Sequence, residues 1–393
     1  MRILFNIIFS AILAIGLVGF WALFLNLWKP KKKWPAWVGY IIIIGAWFAA
    51  IRYYILNQVD LYGTMYYPLM NMFRTESYGF LFGVFLAIPV FIILSLLYWT
   101  INKIWSKTPE ENRTGRRAFF RTAATIVPLA TIGGSSYVAF AGQQEVVVTH
   151  ESFGYTNLPP GLKNYKIVQL SDIHIGPSID LDDFEEIRKL ALLQKPNRVV
   201  ITGDLIDKLA WLPQVCERLT TFAKQIPDGV DFILGNHEYH HDVNKVLDAL
   251  KRNTPMNILV NSNIQIMGGK QPVYIAGVAY DNDRKKDNRE AMINKALSGI
   301  PDYAFVILLA HHPEFFEESI ERKIPLTLSG HTHGGQIVFM GMPLVPTGTP
   351  YTKGRYVEEQ SVCYVNNGTG HWFPIRINCP REITVITFFD GVA

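Results

Sequence analysis

The sequence predicts a two-part chain: an all-helical transmembrane region over about residues 1–142, followed by a layered α/β domain over 143–393. Three observations predict this. Long apolar runs ended by aromatic residues occupy the first third, as membrane spans require. Beyond about residue 143 the pattern changes to short β-rich runs separated by amphipathic segments. The charge divides at the same place: residues 1–142 hold 13 Lys/Arg against 4 Asp/Glu, and residues 143–393 hold 24 against 29. The overall charge of +4 therefore conceals a basic first part and an acidic second part. Basic residues lying between apolar runs point to a bilayer, and no nucleic-acid partner is expected. With 49% apolar residues the chain is not disordered. Three cysteines without a CxxC pair exclude a disulfide scaffold and a zinc knuckle.

Three to four spans are expected, at about residues 3–28, 37–56, 78–99 and 123–141. The fourth is weaker, because Pro128, Gly133, Gly134, Ser135 and Ser136 interrupt it. Trp28, Trp34, Trp37, Tyr53, Tyr54, Tyr98 and Trp99 cluster near the ends of the others, as an interfacial belt. Four lysines lie between 29 and 33, and six Lys/Arg between 103 and 121, whereas the segment 57–77 has only Arg74. The positive-inside rule places the two basic loops in the cytoplasm. Arg116 and Arg117, followed by Phe119 and Arg121, resemble a twin-arginine export signal, and an ordinary basic stop before a membrane helix reads the same way. A crossing at 123–141 would place everything after it outside. The expectation is a multi-pass cell-membrane protein with its soluble domain on the extracytoplasmic side.

In the second part, 166–170, 198–202, 230–234, 273–278, 305–310 and 326–329 are apolar runs of strand length, and 363–365 and 384–388 return to strand character near the end. Helices are expected over 182–193, behind acidic N-terminal residues, and over 243–250 and 289–297. The alternation indicates an α/β domain with a sheet core.

Polar groups follow these strands in a repeated way. Asp172 and His174 come after the first run, Asp204 and Asp207 after the second, and Asn236, His237 and Glu238 after the third. His311 and His312 follow 305–310, and His331 and His333 follow 326–329. Open α/β sheets gather ligands at the carboxyl ends of their strands, so five separated segments can converge on one site. Carboxylates and imidazoles without thiolate suit Mn, Fe or Zn. The donors exceed what one tetrahedral ion needs and fit two divalent ions sharing a bridge.

This ordered set, DIH…GDLID…GNHE…HH…GHTH, closely resembles the calcineurin-like metallophosphoesterase family over roughly residues 160–390. The resemblance implies a four-layer αββα sandwich with two metals at the strand ends. Carried over motif by motif, it implies Asp172, His174 and His333 as ligands of the first metal. Asn236, His311 and His331 are implied for the second, with Asp204 bridging both. His237 is implied to stabilise or protonate the leaving group without ligating metal, and Asp207 to orient it. The GHTHGGQ stretch at 330–336 and the tail Asn367-Gly368-Thr369-Gly370…Pro374-Ile375-Arg376 resemble membrane-associated or exported bacterial members. GNHE stands where many members have GNHD, at a position that is not a ligand. His240 and His241 match no motif; they either reach the pocket or lie on the surface beside it.

The ligand set implies hydrolysis of a phosphomonoester or phosphodiester by a metal-activated hydroxide, with His237 assisting the leaving group. Expected partners are a phosphate-ester substrate associated with lipid or an envelope polymer, and the bilayer itself. The alternatives are a catalytically weak membrane sensor or scaffold with a metal-binding domain, and a transporter with an accessory hydrolase. The complete donor set argues against the first, and the lack of Asp, Glu or His in the spans against the second. The apolar loop 340–351 either contacts an acyl chain or bilayer, or packs as an ordinary loop. Cys363 and Cys379 could pair if the domain is exported.

Overall fold

A computed structural model of the chain describes residues 60–104, 110–141, 146–280, 285–344, 346–371 and 375–391, with the isolated positions Gly45, Phe48, Ala49 and Arg52. The chain divides into two compact units, Met1–Gln143 and Gln144–Ala393.

The first unit contains α1 (Tyr67–Ile104) and α2 (Glu110–Ala141). The expected span 78–99 is the interior of α1, a helix of 38 residues; among the described residues it is the one long and apolar enough to cross a membrane. The expected spans 3–28 and 37–56 lie outside the described residues, apart from the isolated positions above. The segment 123–141 is helical, but α2 begins at Glu110, so most of the basic stretch expected as a loop is helix as well. Residues 110–121 contain no proline to stop a helix that the apolar half nucleates. Gly79 and Gly83, four apart on α1, lie against α2. A Cβ on Gly83 would come within 2.5 Å of Ile132 Cα, and one on Gly79 within 2.6 Å of Ser136 Cα. This small-xxx-small spacing lets two helix backbones approach closely.

The second unit contains two six-stranded sheets. The first has the order β1 (Val146–Tyr155), β14 (Arg381–Asp390), β2 (Ile167–Leu170), β3 (Arg198–Thr202), β4 (Val230–Ile233) and β5 (Asn257–Ile258). The second runs β12 (Gly354–Glu358), β13 (Ser361–Val365), β9 (Leu326–Ser329), β8 (Phe305–Leu309), β7 (Val273–Gly277) and β6 (Ser262–Met267). In each, four neighbouring strands are parallel: β2 to β5 in the first, and β7, β8, β9 and β13 in the second. Of these, β2, β3, β4, β8 and β9 are buried along their whole length, which is why they read as largely apolar runs. Ile167, Val200 and Ile233 of the first sheet pack with Ile275, Ile307 and Leu328 of the second in one core between the sheets.

Parallel strands need crossovers, and helices supply them. In the first sheet these are α3 (Leu181–Leu193), α4 (Leu212–Ala223), and α5 (Asn236–His240) followed by α6 (Val243–Asn253). Asp180 caps α3 in a reciprocal capping box with Asp183. On the second sheet α7 (Lys286–Ala296) packs Ile293 and Ala296 against Ala276, Val306 and Leu308, and α8 (Phe316–Glu321) packs Phe316 against Cys363 and Val365. Cys216, Cys363 and Cys379 are all free and buried, so the pairing considered for Cys363 and Cys379 is not formed. Their neighbours differ: Cys363 Sγ faces Ser329, whereas Cys379 Sγ lies against the carbonyls of His333 and Gly334.

Candidate metal centre

The carboxyl ends of β2, β3, β4, β8 and β9 converge, and each delivers its polar residues within two to five positions of the strand end. Asp172, His174, Asp204, His331 and His333 all have left-handed backbones, with φ between 50° and 70°. Non-glycine residues pay of order 1 kcal/mol each for that conformation, which persists only where the surroundings over-determine it. Here it turns five side chains out of the strand direction toward one place. The glycines opening the motifs have a steric reason: a Cβ on Gly235 would lie 2.2 Å from Asp204 Oδ1, and one on Gly330 1.9 Å from Ser171 Oγ. The five segments approach too closely for side chains there.

Two groups of donors result. In the first, His174 Nε2 lies 3.1 Å from His333 Nε2, and His333 Nε2 lies 3.4 Å from Asp172 Oδ1. In the second, Asn236 Oδ1 lies 3.0 Å from His311 Nε2 and 2.9 Å from His331 Nδ1. Asp204 stands between them, its Oδ2 3.3 Å from His311 Nε2 and 3.6 Å from His174 Nε2. The seven residues singled out as ligands are thus brought together, in the two sets named and with Asp204 in the middle. Asp172–His174–His333 and Asp204–His311–His331 each satisfy the geometry of a metal-holding group.

The donor chemistry fits cations. His311 Nδ1–H donates to the Thr202 carbonyl at 2.8 Å, so Nε2 presents a lone pair to the Asp204 carboxylate and the Asn236 amide oxygen. An acceptor facing acceptors needs a proton or a cation between them. Without a metal the proton takes that place: burial lowers the His311 imidazole, but Asp204 and then Asp172 override it and raise it to about 9. His333 remains an uncharged donor, because burial, His174 and Arg376 together hold it well below its ordinary value.

Asp207 joins the metal group to His237. One carboxylate oxygen accepts from His237 Nδ1–H at 2.6 Å, and His174 Nδ1–H lies 3.3 Å from it. Burial opposes the charge on Asp207, but His174 and His237 hold it well below the usual carboxylate range. Conversely, burial would lower His237, while Asp207 and Asp204 raise it to about 10. His237 therefore carries a proton at neutral pH, with Nδ1 engaged and Nε2 free to face a substrate.

Three residues matter more than their motifs suggested. Glu238, read as a neutral variation of GNHD, accepts from the backbone N–H groups of Gly235 (2.7 Å), Asp204 (3.1 Å) and Leu205 (2.8 Å), binding the ends of β3 and β4 together. A carboxylate three residues past a helix-capping glycine was the signal for it. His241 is not a surface histidine: its side chain is 7% exposed and its Nε2 lies 3.6 Å from Asp207 Oδ1. His240 is exposed, with its ring 5.4 Å from that of His237. Arg376, fully enclosed behind His333, donates to the carbonyls of Asn367 and Gly370 and approaches His333 Nδ1 at 3.1 Å. His312 is buried, its ring 4.1 Å from that of His331, and stands outside the two donor groups.

Residues 165–335 match the family model described as calcineurin-like phosphoesterase. An uncharacterized metallophosphoesterase of Campylobacter jejuni is 30% identical over 354 residues, covering 88% of this chain and 87% of that relative. One of Bacillus subtilis is 30% identical over 263 residues, covering 65% of this chain and 90% of the relative. A transmembrane protein with metallophosphoesterase domain from Danio rerio is 28% identical over 315 residues, covering 77% of this chain and 71% of its own. Two relatives at 30% identity, each matched over about nine-tenths of its length, make this chain a member of the calcineurin-like metallophosphoesterase family.

Proposed function

We propose that the protein is a membrane-anchored phosphoesterase that uses two divalent cations, and that its substrate is a phosphomonoester or phosphodiester associated with lipid or the cell envelope. The observation that carries this reading is Asp204: one carboxylate oxygen within 3.6 Å of a nitrogen of each donor group supports a bridging role between two ions. Asp172, His174 and His333 would hold one, and Asn236, His311 and His331 the other. Mn, Fe and Zn all suit such oxygen and nitrogen donors. When bound, divalent cations supply Lewis acidity toward phosphoryl oxygens and lower the pKa of coordinated water. The chain's own residues do the rest. Asp207 holds the His237 imidazolium by Nδ1, and Nε2 delivers its proton to the departing oxygen, offsetting charge as the P–O bond breaks.

The anchor is supported by α1, by the close Gly79 and Gly83 packing against α2, and by relatives named as transmembrane proteins. We place the catalytic domain on the extracytoplasmic side of a multi-pass anchor, a placement that combines the basic charge between 103 and 121 with the further proposal that 123–141, the apolar half of α2, crosses the bilayer. A C-terminal tag is then cleaved by external protease in right-side-out cells, and a protected tag would reverse the orientation.

The activity test uses the purified full chain with Mn²⁺ and an aryl phosphodiester. Turnover is expected, chelator is expected to abolish it, and Asp204→Asn is expected to remove it while the domain remains folded. Turnover that survives Asp204→Asn at the wild-type rate would overturn the assignment.

A further inference from the structure

Immediately after the turn that carries His331 and His333, the chain forms a small hairpin, β10 (Val338–Phe339) with β11 (Met342–Pro343). Its base is tied to the domain. Val338 N–H donates to the Ile377 carbonyl at 2.9 Å, Asn378 Nδ2 to the Val338 carbonyl at 3.0 Å, and Leu344 N–H to the Ile337 carbonyl at 2.8 Å. Ile337 and Val338 are buried. The tip is the opposite: Phe339 is 60% exposed, Met340 82%, Met342 66% and Leu344 63%. Four large apolar side chains within six residues face outward beside a site made of charges, and the ordinary packed loop weighed for this segment does not describe them.

We propose that this hairpin is a lipid-docking finger, whose apolar tip enters the headgroup and acyl boundary of a bilayer and holds the metal centre at the membrane surface. Several features select a bilayer as the occupant. The chain itself carries a helix long and apolar enough to cross one, and on the membrane-anchored reading proposed above a lipid surface lies within its reach. From Gly334 to Thr352 there is no charged residue, and the first to follow is the exposed Lys353, a cation suited to anionic headgroups. Four side chains on a two-stranded tip fall well short of the ~800 Å² per partner that a stable protein interface buries. They are ample for shallow interfacial insertion, in which the apolar contact reaches only about 5–10 Å below the surface. Because the finger is hydrogen-bonded at its base and continuous with the His331–His333 turn, seating it seats the metal ligands too. Resting on the phosphoesterase reading, the consequence is a substrate class: phosphate esters presented at the headgroup level of the bilayer.

The test reads position, not activity, so it stands whether or not the phosphoesterase reading does. A nitroxide is attached to Met340→Cys in the full chain, reconstituted in vesicles of phosphatidylethanolamine and phosphatidylglycerol; the native cysteines are all buried. Lys270→Cys, on the exposed loop between β6 and β7 at the amino end of the parallel strands, gives the aqueous reference. Collision rates with oxygen and with a water-soluble nickel chelate, present on both sides of the membrane, are compared. Docking gives high oxygen and low nickel accessibility at 340 and the reverse at 270. Nickel accessibility at 340 equal to that at 270 overturns the proposal. Low accessibility to both reagents also overturns it, because that signature is burial against protein, including a second copy of the chain. In a separate arm, Phe339→Asp is expected to leave turnover of a soluble aryl phosphodiester unchanged; absence of that turnover in the wild type would count against the phosphoesterase reading alone.

Discussion

Asp207 is the residue on which the two halves of the site depend. It holds His174, whose other nitrogen faces the metal group, and His237, whose other nitrogen is free. Asp207→Asn keeps the shape but removes the charge that orients both rings. It is expected to weaken metal binding about 10–100-fold, the usual cost of losing a carboxylate behind a ligating histidine. His237→Ala is expected to lower kcat by about 10²–10⁴-fold, the range for removing a general acid, with metal content unchanged. Metal analysis of the purified variants separates the two. Glu238→Ala is expected to act differently again: four backbone N–H groups, of Gly235, Asp204, Leu205 and Ile206, lose their buried acceptor, so the midpoint of thermal unfolding falls. His371 gives a pH dependence. It is fully buried, and burial followed by Arg376 and Arg381 holds it well below its ordinary value. The unfolded chain takes up a proton there below about pH 6.5, whereas the folded chain does not. The stability it permits is complete above that pH and declines as pH falls below it. His371→Asn is expected to flatten the loss of thermal stability between about pH 7 and pH 5; an unchanged decline would place the acid sensitivity elsewhere.

Among the elements, the parallel strands act as a register for the site. Each sheet contributes strands that run the same way, so their carboxyl ends lie together, and a motif two residues past a strand end is aimed by the strand itself. The loops of the first sheet carry Asp172, His174, Asp204, Asp207, Asn236 and His237, and those of the second carry His311, His331 and His333. The center therefore lies across the mouth of both sheets, and separating them would divide it. In the first unit the decisive contact is between backbones. Gly83→Leu must push the α1 and α2 backbones apart, because the Cβ alone would reach 2.5 Å from Ile132 Cα. A cost of about 1–3 kcal/mol is expected, the usual range for overpacking. It is measurable as reduced thermal stability of the detergent-solubilised chain, whereas Gly133→Leu, where a Cβ meets nothing within 4 Å, serves as the neutral comparison.

For the whole molecule, metal is expected to be a structural ligand as well as a chemical one. Asp172 and Asp204 are buried next to clustered imidazoles whose lone pairs converge. A cation that binds the folded state alone adds RT ln(1 + [L]/Kd), about 2.7 kcal/mol at a hundred times Kd. Chelation is expected to lower the unfolding midpoint of the second unit, and Mn²⁺ to restore it. An unfolding midpoint indifferent to chelator in a chain that had contained metal would mean that the donors are held in place by the fold alone.

Sequence by itself determined the division near residue 143, the strands ending at Leu170, Thr202 and Ser329, and the pool of Asp, Asn and His residues past the strand ends, from which the family resemblance singled out the seven that meet. The strands and the pool follow from local physics: strand runs buried on both faces are largely apolar, and open sheets gather ligands at the carboxyl ends of their strands. The strand Val146–Tyr155 and the helix Leu212–Ala223 were not legible. The first is an edge strand of mixed character whose partner, β14, lies more than two hundred residues away, and the second opens on a Trp-Leu-Pro turn that hides its period. The role of Glu238, the burial of His241, the place of Arg376 behind His333 and the outward face of Phe339, Met340, Met342 and Leu344 were decided only by tertiary structure. Burial and hydrogen-bond partners depend on which distant segments meet, and short motifs state what a residue can do without stating what surrounds it.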